Sequence, residues 1–211
     1  VSYPEISKQE LSSFPVQPNL TKLSQLTPDF SWDSIEQEIG IWGRDYCNLA
    51  WLAIDRHCGT SAADKIAMYW EGKKGDTETY TFGQMRDLTN KFANALTDLK
   101  VKKGDRVFFF AERIPELYIA IFGALKVGAI VGPLFSAFGT DPVRERLMDS
   151  EAKILVTTPE LKGRLAPILG DLPQLERCII INRTKGKDKP LDKDDISFEE
   201  IMKKASPHFA P

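Results

Sequence analysis

Residues able to do chemistry are sparse in this 211-residue sequence. Only two histidines are present, so a site built on imidazole acid–base chemistry has few candidates. His57 follows Asp55 and Arg56 at a predicted helix end, where a cation meets the carbonyl dipole. His208 stands in a proline-flanked tail. The sequence contains no Gly-x-Gly-x-x-Gly, no phosphate loop ending in Lys and Ser or Thr, and no His-Glu-x-x-His. Cys47, Cys58 and Cys178 lack the close spacing of a zinc knuckle and read as reduced thiols without a structural disulfide. No catalytic residue and no metal ligand is therefore assigned. Arg113, Arg144 and Arg146 carry charge an anion would use, but isolated arginines on helix faces are ordinarily solvated, and none is selected. More suggestive is Pro133-Leu134-Phe135-Ser136-Ala137-Phe138-Gly139. It leaves a buried strand and enters a helix through small residues, where open parallel sheets bind ligands. A tight strand-to-helix connection would read the same way.

The elements that must position such a loop follow from apolar periodicity. Residues 1–30 are polar and proline-punctuated and read as an extended amino-terminal arm. Residues 31–64 read as a helical lead-in, with helices over 34–39 and 47–57. Residues 65–211 read as one α/β subdomain. It opens with a β-hairpin, 66–70 and 77–80, around a glycine-bearing link. Thr81 and Gln84 form a capping-box signature for a helix whose apolar face carries Met85, Leu88, Phe92, Leu96 and Leu99. Strands at 106–111, 129–134, 153–157 and 177–181 alternate with helices from Pro115 to Lys126, from near Pro142 and near 161–169. A last short helix is expected over 198–204, after a solvated loop at 184–195. The fold class is α/β: a mainly parallel sheet flanked by helices with an initial hairpin. Phe108, Phe109 and Phe110, like Ile179, Ile180 and Ile181, read as buried strand residues rather than ligand pockets.

Bulk properties exclude whole classes of function. Lys plus Arg (28) nearly balance Asp plus Glu (30), so no field draws the chain to nucleic acid or anionic lipid. Apolar residues make up 42% and charged residues 27%, as in ordinary globular proteins. With no signal-like start and no apolar run of spanning length, the expected compartment is the cytoplasm and no membrane partner is expected.

The order of segments resembles a known family. Asn48-Leu49-Ala50-Trp51 through Ile54-Asp55-Arg56-His57, Tyr80-Thr81-Phe82 after the hairpin, and Lys103-Gly104-Asp105-Arg106-Val107 are similar to acetyl-CoA synthetases. So are Arg113-Ile114-Pro115-Glu116-Leu117, Lys126-Val127-Gly128-Ala129 and Phe135-Ser136-Ala137-Phe138. By this resemblance the chain is identified as the amino-terminal part of an AMP-forming, adenylate-forming acyl-CoA synthetase. The resemblance implies a two-step ligase: a carboxylate attacks the α-phosphate of ATP, with Mg2+, and CoA then displaces AMP. The partners implied are the small molecules acetate, ATP and CoA. The family's phosphate loop, acyl pocket, ribose-binding aspartate and catalytic lysine have no counterpart here, so this segment alone is expected to be inactive and to expose apolar surface for self-association. The resemblance places Phe135, Ser136, Ala137 and Phe138 near the CoA nucleotide, with Lys162 and Arg164 of Lys162-Gly163-Arg164 facing its phosphates. Two other readings compete: a synthetase for a medium-chain or aromatic acid, and a non-catalytic flavodoxin-like nucleotide-binding module.

Overall fold

A computed structural model describes residues 9–16, 30–43, 46–183 and 192–211. The chain divides into two compact units, Val1–Tyr46 and Cys47–Pro211. In the first, helix α1 (Trp32–Ile39) starts where the Ser31 hydroxyl accepts from the Ser34 amide at 3.1 Å and stops at Gly40 in the left-handed region. A single 3-10 turn spans Leu11–Ser13. Residues 1–8 and 17–29 of the expected arm lie outside the described residues.

The second unit begins with α2 (Leu49–Ala53). The side-chain oxygen of Asn48 caps the amides of Ala50 and Trp51, while its NH2 donates to the carbonyls of Leu125 and Lys126 at 3.0 and 3.1 Å. One side chain thus closes the start of one helix and the end of another. The single helix expected over 47–57 breaks at Ile54 and continues as a 3-10 segment, Asp55–Gly59. The break aims Asp55 at Lys126 of a distant helix, 2.8 Å away, a partner that local periodicity does not encode.

The hairpin pairs β1 (Ile66–Glu71) with β2 (Thr77–Thr81). Thr81 and Gln84 form the expected capping box, which opens α3 (Phe82–Asp98). The remaining strands are β3 (Arg106–Phe110), β4 (Ile130–Pro133), β5 (Ile154–Thr157), β6 (Arg177–Ile180) and β7 (Asp195–Ser197). They form one parallel sheet in the order β4-β3-β5-β6-β7. The helices are α4 (Pro115–Lys126), α5 (Thr140–Asp149), α6 (Pro159–Leu165) and α7 (Phe198–Lys204). Gly128, at φ +73, turns the chain out of α4 toward β4. Strand β7 is not expected from the sequence: it begins at Asp195, the last residue of the stretch that reads as loop, and runs to Ser197.

Side chains of each strand alternate between two cores, as a pleat requires. Val107, Phe109, Ile154, Val156 and Ile179 pack with α3, α4 and Phe198 of α7. Phe110, Leu155, Cys178 and Ile180 pack with Val143 and Leu147 of α5 and Leu161 and Leu165 of α6. Helices therefore cover both faces, and β5 is buried throughout. Burying about 100 Å² of apolar side chain stabilises by roughly 2.5 kcal/mol, so these strand residues carry the fold. Helix α4 presses against α3 at Gly123, where an added Cβ would lie 2.8 Å from the Phe92 Cβ and 2.9 Å from the Thr89 carbonyl oxygen.

Candidate functional site

The strand order creates a crevice. Chain leaving β3 enters α4 on one face of the sheet, whereas chain leaving β5 enters α6 on the other. Between two such strands the connecting loops part, and ligands bind in that gap. A cleft of about 870 Å³ lies there, lined by residues that follow the carboxyl ends of four parallel strands. Glu112 and Arg113 follow β3, Phe135 and Ser136 follow β4, Thr158 follows β5, and Arg183 follows β6. The β1–β2 turn, residues 72–76, contributes Lys73, Lys74 and Asp76 to the wall. The Thr157 hydroxyl donates to the Phe110 carbonyl at 2.7 Å, tying β5 to β3 just before the chain enters the cleft wall at Thr158 and Glu112.

Four of the residues expected to face CoA form one loop. Phe135 is 59% exposed, a costly state for a phenyl ring that leaves its face available to a ligand. It meets Phe138 edge-on, with centroids 5.8 Å apart and planes at 86°. The Phe138 amide donates to the Phe135 carbonyl at 2.9 Å, closing the turn on which Ser136 and Ala137 sit. Arg146 of α5 stacks on the outer face of Phe138, 4.8 Å from its centroid.

The two basic residues behave differently from each other. Arg164 donates to the Ser136 carbonyl and lies 5.2 Å from the centre of the Phe110 ring, so it braces the loop from α6. Lys162 turns the other way. Its side chain is 11% exposed and pairs with Asp195 at 2.7 Å and also with Asp192, linking α6 to the edge strand β7. Burial alone would depress its ammonium, but those two carboxylates hold it above the usual lysine range. The structure brings Arg164 to the 135–138 loop and commits Lys162 to an internal pair.

A latch that sequence reading did not find holds the hairpin over the cleft. Arg183 pairs with Glu116 of α4 at 2.7 Å and with Glu78 of β2, while its guanidinium carbon stacks 4.6 Å from the centre of the Trp70 ring. The Trp70 indole N–H donates to the Arg113 carbonyl at 2.7 Å. Glu78 also accepts from the Tyr80 hydroxyl; burial, and then that bond, push the phenol above its ordinary range. These residues come from β1, β2 and α4 and from the segments that follow β3 and β6, so nothing in the sequence marks them as one cluster. Among the described residues no group of three His, Cys, Asp or Glu side chains is placed to hold a metal. No described helix is long and apolar enough to cross a membrane.

Comparison with known proteins agrees with this architecture. An acetyl-coenzyme A synthetase of Bacillus subtilis is 38% identical over 189 residues, covering 89% of this chain and 32% of its own length. That of Methanothrix thermoacetophila is 32% identical over 82% of this chain and 30% of its own. The chain thus spans about a third of the length of the curated relatives it matches. A crystal structure of an acyl-CoA synthetase from Brucella canis superposes with a TM-score of 0.76 at 26% identity, over 90% of this chain and 33% of that one. The model of a family described as AMP-binding enzyme matches residues 54–208. With most of its length inside that match, and with the parallel sheet, hairpin and switch-point cleft just described, the chain belongs to the family of AMP-binding, adenylate-forming enzymes.

Proposed function

We propose that this chain is the first α/β part of an AMP-forming acetate–CoA ligase, and that its switch-point cleft serves the CoA-dependent half of the reaction. In this reading acetate attacks the α-phosphate of ATP to give acetyl-adenylate and pyrophosphate. The CoA thiol then attacks the acyl carbon and AMP leaves, its phosphate taking the electron pair of the broken bond. The observation that carries it is the coincidence of two things. The 38% identity to an acetyl-coenzyme A synthetase covers 89% of the chain, and the exposed Phe135 within that span faces a cleft at the sheet's switch point.

Each local residue has a part. Phe135 offers a ring face to a purine, held edge-on by Phe138 so that little side-chain freedom is lost on binding. Arg164 and Arg146 keep the 135–138 loop in that geometry, and Lys162 anchors the helix that carries Arg164. Magnesium enters this reading with ATP rather than on carboxylates of this unit. The two sister readings, another acid and a non-catalytic module, are separated by one assay on the full-length protein. Acetate-dependent exchange of pyrophosphate into ATP, followed by CoA-dependent release of AMP, is the expected result. Exchange only with longer or aromatic acids would change the substrate, and no exchange with any carboxylate would sink the ligase reading.

A further inference from the structure

Residues 205–211, which follow α7, run without regular secondary structure. Exposure alternates along them as in an extended segment: Ala205, Pro207 and Phe209 are half-buried, while Ser206, His208 and Ala210 are exposed. Among the described residues no strand pairs with this tail. Two asparagines of α3, about one helical turn apart, supply donors in place of a ladder. Asn90 Nδ2 donates to the Pro207 carbonyl at 2.8 Å, and Asn94 Nδ2 donates to the carbonyls of Ser206 and His208, each at 2.8 Å. Two side chains thereby hold three successive carbonyls. The orientation of Asn90 is not free. Its Oδ1 accepts from the Lys126 ammonium at 2.5 Å, and that ammonium pairs with Asp55 at 2.8 Å. An ammonium can only donate, so the buried amide turns its oxygen toward Lys126 and its NH2 toward the tail. A buried ion pair on one side of α3 thus dictates how the tail is bound on the other.

We propose that Asn90 and Asn94 are positioning residues for the ATP-dependent half of the reaction: they fix the direction in which the backbone leaves α7, and with it the placement of the part of the protein that follows. The inference rests on the ligase reading given above, in which the cleft of this unit serves CoA and ATP is held outside it. No residue of 205–211 belongs to either core. A tail held by side-chain amides can therefore come loose without melting the sheet. With the tail loose, the arrangement competent for ATP is populated for only part of the time. The apparent affinity for ATP then falls by that fraction, and saturating ATP restores the arrangement. A loss of folded protein acts differently, lowering the rate at every ATP concentration alike.

The test uses the full-length protein with Asn94→Asp, which keeps the shape of the side chain but sets a carboxylate against two carbonyls. In acetate-dependent exchange of pyrophosphate into ATP, the KM for ATP should rise about tenfold, with kcat and the KM for CoA near wild type. Asn94→Gln, which restores an amide donor, should recover part of the loss. Asp98→Asn, exposed at the carboxyl end of the same helix, should leave the KM for ATP unchanged. Chymotrypsin should cleave after Phe209 faster in Asn94→Asp than in wild type, at an unchanged melting temperature. A fall in kcat at an unchanged KM for ATP overturns the proposal, as does cleavage at Phe209 at the wild-type rate. Wild-type protein that catalyses no exchange with any carboxylate sinks the ligase reading and the ATP role with it, whereas the cleavage assay, which needs no ATP, judges the asparagine clamp by itself.

Discussion

The ammonium of Lys126, with none of its side chain exposed, lies 2.8 Å from the carboxylate of Asp55. Burial depresses the lysine below its usual range, and Asp55 only partly offsets that. Such a pair contributes little net stability, because desolvating both ions nearly cancels their attraction, but removing one partner strands the other. Asp55→Ala should therefore cost about 3–5 kcal/mol in urea unfolding. Asp55→Ala combined with Lys126→Met should recover much of that loss. A double variant as unstable as the single one would show that the pair does more than neutralise itself.

Gly123 sets the approach of α4 to α3. Alanine there gains about 1 kcal/mol of helix propensity. It also drives a methyl group into the Phe92 Cβ and the Thr89 carbonyl, where overpacking costs about 1–3 kcal/mol. The backbone contact cannot rotate away, so the second effect wins and Gly123→Ala should lose up to about 2 kcal/mol. A rise in melting temperature would refute this ordering.

Acid sensitivity should centre on Asp105. Burial works against its charge, but the Lys102 amide at 2.8 Å and the Lys153 ammonium at 2.9 Å outweigh burial and hold the carboxyl below the usual range. The folded pKa being the lower one, the unfolded chain takes up the proton first as pH falls. The contribution is complete above about pH 4 and is lost as pH drops through the folded value. Unfolding free energy measured across this range should decline less steeply in Asp105→Asn than in wild type.

Two of the three thiols, Cys47 and Cys178, should react in a set order. Cys47 is exposed, whereas Cys178 of β6 is buried in the core beneath α5 and α6 and burial pushes its thiol up to about 11. Only the thiolate is nucleophilic. Iodoacetamide at pH 8 should alkylate Cys47 and spare Cys178 until the chain unfolds. Mass spectrometry of the native protein showing early Cys178 labelling would mean that β6 opens locally.

Lys162 and Arg164 should separate by the element each one disturbs. Lys162→Ala should raise hydrogen exchange at β7, because the Asp195 carboxylate loses its partner. Arg164→Ala should instead speed proteolysis of the 135–138 loop. Identical exchange maps for the two variants would deny them distinct roles.

Most of the architecture was legible because its signals are local. The alternation of apolar strands with amphipathic helices, the capping box at Thr81 and Gln84, and the left-handed exit at Gly128 all belong to neighbouring residues. Strand β7 was not legible. Asp195, Ile196 and Ser197 offer one apolar position, and only pairing with β6 makes them a strand. The break at Ile54 was hidden for the same reason, since Asp55 serves a lysine 71 residues away. Of the candidate site, the 135–138 loop could be found from its place after a strand. The internal pairing of Lys162 could not, because a basic residue on a short helix looks the same whether solvent or a carboxylate faces it.

The latch at Arg183 has a kinetic consequence. Glu78 precedes that arginine by 105 residues and Glu116 by 67. Contacts of such separation form late, after the local crossover units have condensed. The hairpin is among the first elements of this unit to leave the ribosome, yet it waits for β6 to dock before Trp70 and the Lys73–Lys74 turn acquire their anchor. During synthesis the cleft consequently takes shape only after β1 to β6 have all emerged, and a nascent chain halted before Arg183 carries β1 to β6 without a roof over the crevice.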